Sequence, residues 1–279
     1  MLKTLSKLIR LEQWYKNVII FAPLLFSSDT YPPELMALGF LGFSCVSSIT
    51  YIFNDWMDRE KDRLHPIKKE RPLASGKISG KQAVLVALIL LLAVLGIVYM
   101  LGVFYGSILL TYFVITNLYS LGLKNIPLLD IVIIGGNFAM RMMAGLQHFP
   151  DMSTLPYFGL LLGAIVIFLT HKRSNDIKLL GDKAIKHKPV LKYYTRRNNY
   201  FYRAVGYAVV ILSFFVMWRS GLSYVKIIGL IAQLLATSFI MSDNPEYTSK
   251  PQWLFRSKLW DAVLVGNVVL WASIWAGVF

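Results

Sequence analysis

The sequence predicts an all-α integral membrane protein with nine transmembrane helices. Three observations lead there. Apolar residues make up 56% of the 279 positions, against about 45–50% in an ordinary soluble domain. Charged residues make up 16%, where about 25% is usual, and the mean hydropathy is +0.55. Apolar stretches of roughly the 17–25 residues needed to cross a bilayer recur along the chain. A soluble fold of this length would still need a charged skin, and this chain lacks the charge to make one. The composition excludes a disordered chain, a soluble enzyme of ordinary surface and a disulfide scaffold. Cys45 is the lone cysteine, so no intrachain disulfide and no CxxC metal site exists.

The expected spans run 14–28, 33–53, 82–101, 104–122, 128–147, 155–171, 201–218, 222–241 and 259–278. Lys16, Asn17 and Pro23 interrupt the first, and the third is the most apolar. The connecting stretches alternate in charge. Lys3, Lys7, Arg10 and Lys16 precede or open the first span, whereas 27–34 carries no Lys or Arg. Arg59 to Lys81 holds eight Lys and Arg, and His171 to Arg203 is again strongly basic. Net charge is +14 (29 Lys and Arg minus 15 Asp and Glu). On a membrane protein such an excess marks cytoplasmic loops. The pattern predicts insertion in the cell (cytoplasmic) membrane with a cytoplasmic N-terminus and an outside C-terminus. No removable signal peptide is expected, and a single domain over 1–279 with two cytoplasmic polar segments, 54–81 and 171–200, is expected.

The first polar segment begins Asn54-Asp55-Trp56-Met57-Asp58-Arg59-Glu60-Lys61-Asp62. Asp55, Asp58 and Asp62 stand at helical i, i+3 and i+7 and so share one face. Carboxylates crowded on one face repel unless a cation sits among them, and hard oxygen ligands suit Mg²⁺, which bridges readily to substrate phosphates. Asn54 adds a neutral oxygen. The bland alternative is a solvated helix end with Arg59, Lys61 and Arg63 as partners. Position favours the metal, because ionisable groups at the mouth of a membrane helix are functional candidates by default.

The segment continues His65-Pro66-Ile67-Lys68-Lys69-Glu70-Arg71-Pro72. Arg offers a planar fork for phosphate oxygens and Lys a point charge. Arg71 is assigned to the site, while Lys68, Lys69 and Lys77 serve lipid headgroups equally well. The second polar segment, from His171-Lys172-Arg173-Ser174-Asn175-Asp176, offers Lys172 and Arg173 to phosphate and Asp176 to a metal. Within the apolar runs lie Asn117, Tyr119, Asp130, Asn137 and Arg141. A buried Arg needs a partner or a wet cavity, so Arg141 either faces an anionic ligand or locks helices together. No GxSxG, Walker loop or HExxH occurs.

Together these residues resemble the UbiA superfamily of membrane prenyltransferases. Asn54-Asp55-x-x-Asp58-x-x-x-Asp62 is similar to that superfamily's first aspartate-rich motif, and the likeness covers essentially the whole chain. Within it, the chain is most similar to the branch that transfers phosphoribose to polyprenyl phosphate. That narrower likeness rests on Gln13-Trp14-Tyr15-Lys16-Asn17, on Arg71-Pro72-Leu73-Ala74-Ser75-Gly76, and on Lys172-Arg173 with Lys188-Pro189-Val190-Leu191.

The resemblance implies helices around a central cavity and an Mg²⁺-dependent transfer of 5-phosphoribose from phosphoribosyl diphosphate to a polyprenyl phosphate, releasing diphosphate. It implies Asp55, Asp58 and Asp62 as metal ligands and Asp55, Asp58 and Lys172 as catalytic. Lys16, Asn17, Asn54, Arg59, Arg71, Tyr119, Arg141, Arg173, Asp176 and Lys188 are then substrate-binding. Membrane lipid is a further partner, an oligomer is compatible with the sequence, and no nucleic acid is expected. Two departures stand out. Asp176 is followed four residues later by Leu180 where aromatic-acceptor members carry a second DxxxD, and it stands near where the phosphoribosyl branch has Glu. The alternatives are prenyl transfer from a prenyl diphosphate to an aromatic acceptor, a transporter, and a non-catalytic scaffold.

Overall fold

The computed structural model describes residues 2–25, 33–64, 68–149, 154–181 and 184–221, with scattered positions between 227 and 269. Every described element is a helix. Its α-helices are α1 Leu2–Leu8, α2 Pro33–Met57, α3 Arg59–Arg63, α4 Gly80–Leu101, α5 Val103–Leu121, α6 Leu129–Leu146, α7 Thr154–Leu180, α8 Ala184–His187 and α9 Arg196–Arg219. Six helices among the described residues are long and apolar enough to cross a membrane: Glu34–Met57, Gly80–Leu101, Val103–Leu121, Leu129–Leu146, Leu155–Leu180 and Arg196–Arg219.

Six of the nine expected spans therefore have a counterpart among the described residues. The first expected span, 14–28, falls on a 3-10 segment, Leu11–Leu25, with Pro23 inside it. Proline has no N–H to give and disfavours a regular α-helix around it. The last two expected spans, 222–241 and 259–278, lie largely outside the described residues. Helices α2, α7 and α9 outrun the apolar stretches that announced them. α7 continues nine residues past the apolar run, from Lys172 to Leu180, because Lys, Arg and Leu are good helix formers whatever their polarity.

Helix starts follow local chemistry. Ser79 Oγ accepts from the Gln82 N–H at 3.2 Å while Gln82 Oε1 accepts from the Ser79 N–H at 2.9 Å, a reciprocal box that opens α4. Thr195 Oγ1 accepts from the Asn198 N–H at 3.3 Å and opens α9.

The described helices fall into two compact units. The first holds α1 to α5 with the α6 residues from Met140 onward; the second holds Gly122–Ala139, α7, α8 and α9. In the first, α2 packs on α4 and α5. Its core joins Ile20, Phe43, Val46, Val94, Ile97, Tyr105, Ile108, Tyr112, Met140 and Ala144. A smaller cluster of Leu8, Ile52, Leu73 and Ala83 secures the polar segment that follows α2. In the second unit, α7 lies along α9. A Cβ built on Gly163 would stand 2.8 Å from the Gly206 carbonyl oxygen, so two glycines let the backbones meet. Ile131, Val166, Leu169, Val190 and Tyr194 form that unit's core.

Candidate active site

In the first unit the acidic motif becomes a charged centre. α2 ends at Met57 and α3 begins at Arg59, but the helical bonding carries across the break. The Asp58 N–H donates to Asn54 O at 3.0 Å, and the Asp62 N–H to Asp58 O at 2.8 Å. The acidic face is therefore continuous. Asp55 is 2% exposed and Asp62 is 3% exposed. Carboxylates so buried need cations. Arg71 Nη1 donates to Asp55 Oδ1 at 3.1 Å and to Asp62 Oδ2 at 2.7 Å. Arg10 Nη2 donates to the same Asp55 oxygen at 2.6 Å. Asn54 and Asp58 are half-buried beside them.

Arg59 and Arg63, two of the partners expected of a solvated helix end, pair instead with Glu60. Arg59 Nε bonds Glu60 at 3.1 Å, and Arg63 bonds Glu60 at 2.9 Å and the Ala74 carbonyl at 3.2 Å. Arg59, expected as a substrate contact, is thus an exposed residue paired along its own helix.

Arg10 was not foreseen at this centre. It follows α1 with φ 50°, a left-handed conformation that costs a non-glycine residue about 1–2 kcal/mol. The conformation is held by what the side chain gains: the Asp55 pairing, and a seat over the Tyr51 ring 4.5 Å from its centroid. Nothing in the spacing of the sequence couples residue 10 to residue 55.

Deeper in the same unit, Arg141 is 4% exposed. Its Nε donates to Asn17 Oδ1 at 2.6 Å and its Nη2 to Tyr112 Oη at 3.1 Å. The guanidinium lies 4.8 Å from the Tyr112 ring centroid and 5.5 Å from that of Phe43. Asn17 in turn donates to Ser44 Oγ at 2.9 Å, and Ser47 Oγ donates to Tyr112 Oη at 3.2 Å. These bonds tie α6, α5, α2 and the 3-10 segment together. Lys16 and Tyr119 are half-buried, and burial, followed by the Arg141 and Arg10 charges, holds the Lys16 amine below its ordinary pKa.

The second unit builds a different centre. Asp130 is fully buried. Its Oδ2 receives Arg173 Nε at 3.0 Å and Lys188 Nζ at 3.3 Å, and its Oδ1 receives the Tyr194 hydroxyl in a short hydrogen bond. Asp176 lies 3.7 Å from Arg173, one helical turn on. Burial lowers the Lys188 pKa and Arg173 lowers it further, while Asp130 opposes both. Burial and the bond to Asp130 push the Tyr194 hydroxyl well up, so it stays a donor. Arg173, Asp176 and Lys188 are thus gathered, as the sequence suggested, but around Asp130 and Tyr194, whose roles it did not. Lys172 is half-buried on α7. Asp182, in the same polar segment, lies outside the described residues.

Helices long enough to span a bilayer, carrying buried carboxylate–guanidinium pairs, define a polytopic membrane protein. The chain belongs to the UbiA prenyltransferase family, whose profile matches residues 18–260. It is 29% identical over 225 residues to the decaprenyl-phosphate phosphoribosyltransferase of Corynebacterium glutamicum, covering 78% of this chain and 67% of that protein. The matched stretches span between 27% and 67% of the lengths of the first curated relatives. The fold is that of a digeranylgeranylglyceryl phosphate synthase (TM-score 0.71, 18% identity, 99% of this chain and 98% of that one). A UbiA homologue from Archaeoglobus fulgidus, bound to GPP and Mg²⁺, matches with TM-score 0.64, 17% identity, and 98% and 97% coverage.

The donor set at Asp55 fits a divalent ion by its chemistry. Buried hard oxygens from Asp55 and Asp62 already share a cation, the Arg71 guanidinium, and Asp58 lies between them on the same face. Among the described residues no cluster of three or more His, Cys, Asp and Glu side chains is drawn together for a metal. Arg71 supplies the positive charge in this arrangement.

Proposed function

We propose that the protein is an Mg²⁺-dependent transferase that moves 5-phosphoribose from phosphoribosyl diphosphate to a polyprenyl phosphate, releasing diphosphate. The single observation that carries this reading is the Arg71 guanidinium shared by Asp55 and Asp62. Two buried carboxylates balanced by a fork-shaped cation make a centre that can accept a metal on the acidic side and phosphate oxygens on the basic side. The naming of the Corynebacterium relative supports the phosphoribosyl donor.

Asp55, Asp58 and Asp62 would hold the ion, which would neutralise charge developing on the departing diphosphate. Arg71 and Arg10 would bind diphosphate oxygens once the carboxylates turn to the metal. Asn54 would orient the donor. Lys172, Arg173 and Lys188 would grip the acceptor phosphate, with Asp176 and Tyr194 fixing their directions. The acceptor is already an anion at neutral pH, so it needs positioning more than a strong base. The same reading sets the protein in the cytoplasmic membrane as one transmembrane domain, with the N-terminus and the active site on the cytoplasmic side, the C-terminus outside, and the prenyl tail in lipid.

The test uses purified full-length protein in detergent with Mg²⁺, a polyprenyl phosphate and radiolabelled phosphoribosyl diphosphate. Label should move into the lipid phase and stop doing so with EDTA. Absence of transfer at several chain lengths, from folded protein that does transfer prenyl groups from a diphosphate to an aromatic acceptor, overturns the phosphoribosyl reading.

A further inference from the structure

The second unit contains a cavity of about 560 Å³ whose lining shares only Tyr194 with the residues given to the proposed reaction. It lies between the last turns of α7 and the first turns of α9, lined by His171, Ser174, Lys178, Tyr194, Asn199 and Arg203 together with Arg196 and Tyr200 at its mouth. α7 presents a different face here from the one that reaches Asp130: Arg173 and Asp176 are absent from the lining. The wall grades in polarity with depth. His171, Tyr194 and Asn199 are buried, at 5%, 2% and 4% exposure. Lys178, Arg196 and Tyr200 are exposed.

The charge is one-sided. Lys178, Arg196 and Arg203 line the cavity, and no Asp or Glu does among the described residues. Arg196 and Arg203 both lie over the Tyr200 ring, at 5.8 and 5.0 Å from its centroid, so the two cations are held close by one aromatic face. Arg203 is further fixed by the Asn199 carbonyl, which its Nε reaches at 3.2 Å. Like charges gathered this way await an anion.

The floor adds a second requirement. Asn199 Nδ2 donates to Ser174 Oγ at 2.7 Å and to the Tyr194 carbonyl at 2.9 Å. A carbonyl can only accept, so the amide's orientation is settled. Its Oδ1 is buried with no hydrogen-bond partner among the described residues. A buried acceptor left unpaired is unfavourable, and a ligand hydroxyl would satisfy it.

We propose that this cavity binds a phosphate bearing a hydroxylated substituent, of the glycerophosphate kind, with the phosphate at Arg196, Lys178 and Arg203 and a hydroxyl toward Asn199. Both bordering helices are candidate membrane spans, and the cavity sits at their polar ends. A lipid headgroup and a soluble phosphorylated polyol both present this chemistry.

The experiment reads binding, not turnover, so it stands apart from the phosphoribosyl assay. Full-length protein is equilibrated with equal phosphatidylglycerol and phosphatidylcholine, and retained lipid is measured by native mass spectrometry. In parallel, sn-glycerol 3-phosphate and inorganic phosphate are titrated calorimetrically. Arg196→Gln and Lys178→Gln, both at exposed positions, should each weaken the ligand about fivefold, whereas Asp55→Asn should leave it unchanged. Phosphatidylglycerol enrichment that falls in the two variants establishes the lipid source. Glycerol 3-phosphate binding that falls in them, without lipid enrichment, establishes the soluble one. Equal retention in wild type and variants with no glycerol 3-phosphate binding overturns the site, and inorganic phosphate binding as tightly as glycerol 3-phosphate overturns the role given to Asn199.

Discussion

Asp55 and Asp62 share one atom: Nη1 of Arg71 lies 3.1 Å from an oxygen of the first and 2.7 Å from an oxygen of the second. Both carboxylates are buried. Removing one partner of such a set leaves an uncompensated charge and costs about 3–5 kcal/mol. The bridge therefore governs folding of the segment after α2 as well as any chemistry there.

Neutral isosteres separate the two roles. Asp55→Asn and Asp62→Asn keep shape and lose charge. Each should lower transferase activity by about a hundredfold or more while the protein still purifies as a monodisperse species. Near-normal turnover in a folded Asp55→Asn would remove the carboxylates from the mechanism. Chelation of divalent metal should abolish turnover in wild type, and added Mg²⁺ should restore it.

Arg10 offers a sharper comparison, because its backbone is strained. Arg10→Gly relieves the left-handed φ of 50° but deletes the guanidinium from Asp55; Arg10→Ala deletes it without relief. Thermal melts should rank glycine above alanine by about 1 kcal/mol. Both should lose activity alike, since the charge is gone from both. Equal melting temperatures would show that the strain carries no weight.

Arg141 distinguishes a lock from a ligand contact. Arg141→Met strands Asn17 Oδ1 inside the first unit and should cost about 1–3 kcal/mol in a melt. KM for phosphoribosyl diphosphate should stay within a fewfold of wild type. A large rise in KM with an unchanged melt would reverse the assignment.

Lys188 predicts a pH dependence. Its pKa lies below the ordinary 10.5, chiefly through burial. A cation is needed to hold the acceptor phosphate, so acceptor KM should climb as pH rises through that lowered value, earlier than for an exposed lysine. Lys188→Arg keeps its charge across this range, and its profile should be flat. Superimposable profiles would take Lys188 out of acceptor binding.

Much of this was legible in sequence, for reasons that differ by residue. The acidic face was readable because helical periodicity is local: Asp55, Asp58 and Asp62 share a face whatever packs around them. α4 was readable because its apolar run has no interruption. Arg10 at Asp55, and Asp130 among Arg173, Lys188 and Tyr194, were not readable. Those pairings join positions far apart in the chain, and spacing carries no information about them. The first expected span falls on a 3-10 segment, because hydropathy counts apolar residues without weighing the proline among them. α7 was cut short for the converse reason, since polarity ends an apolar run without ending a helix.

The Ser79–Gln82 box and the bare flank of α4 have a consequence for how this sequence can drift. Only 6% of α4's apolar window is buried within the protein. Leu85, Leu88, Leu92, Leu95 and Tyr99 point away from protein partners, and any side chain soluble in acyl chains satisfies them. Ala83, Val94 and Ile97 are the buried exceptions. Homologues should therefore exchange Leu, Ile, Val, Phe and Met freely along one flank of this helix while holding three inner positions and its polar first turn nearly constant. A profile of substitutions along α4 would then trace the boundary between lipid and protein residue by residue.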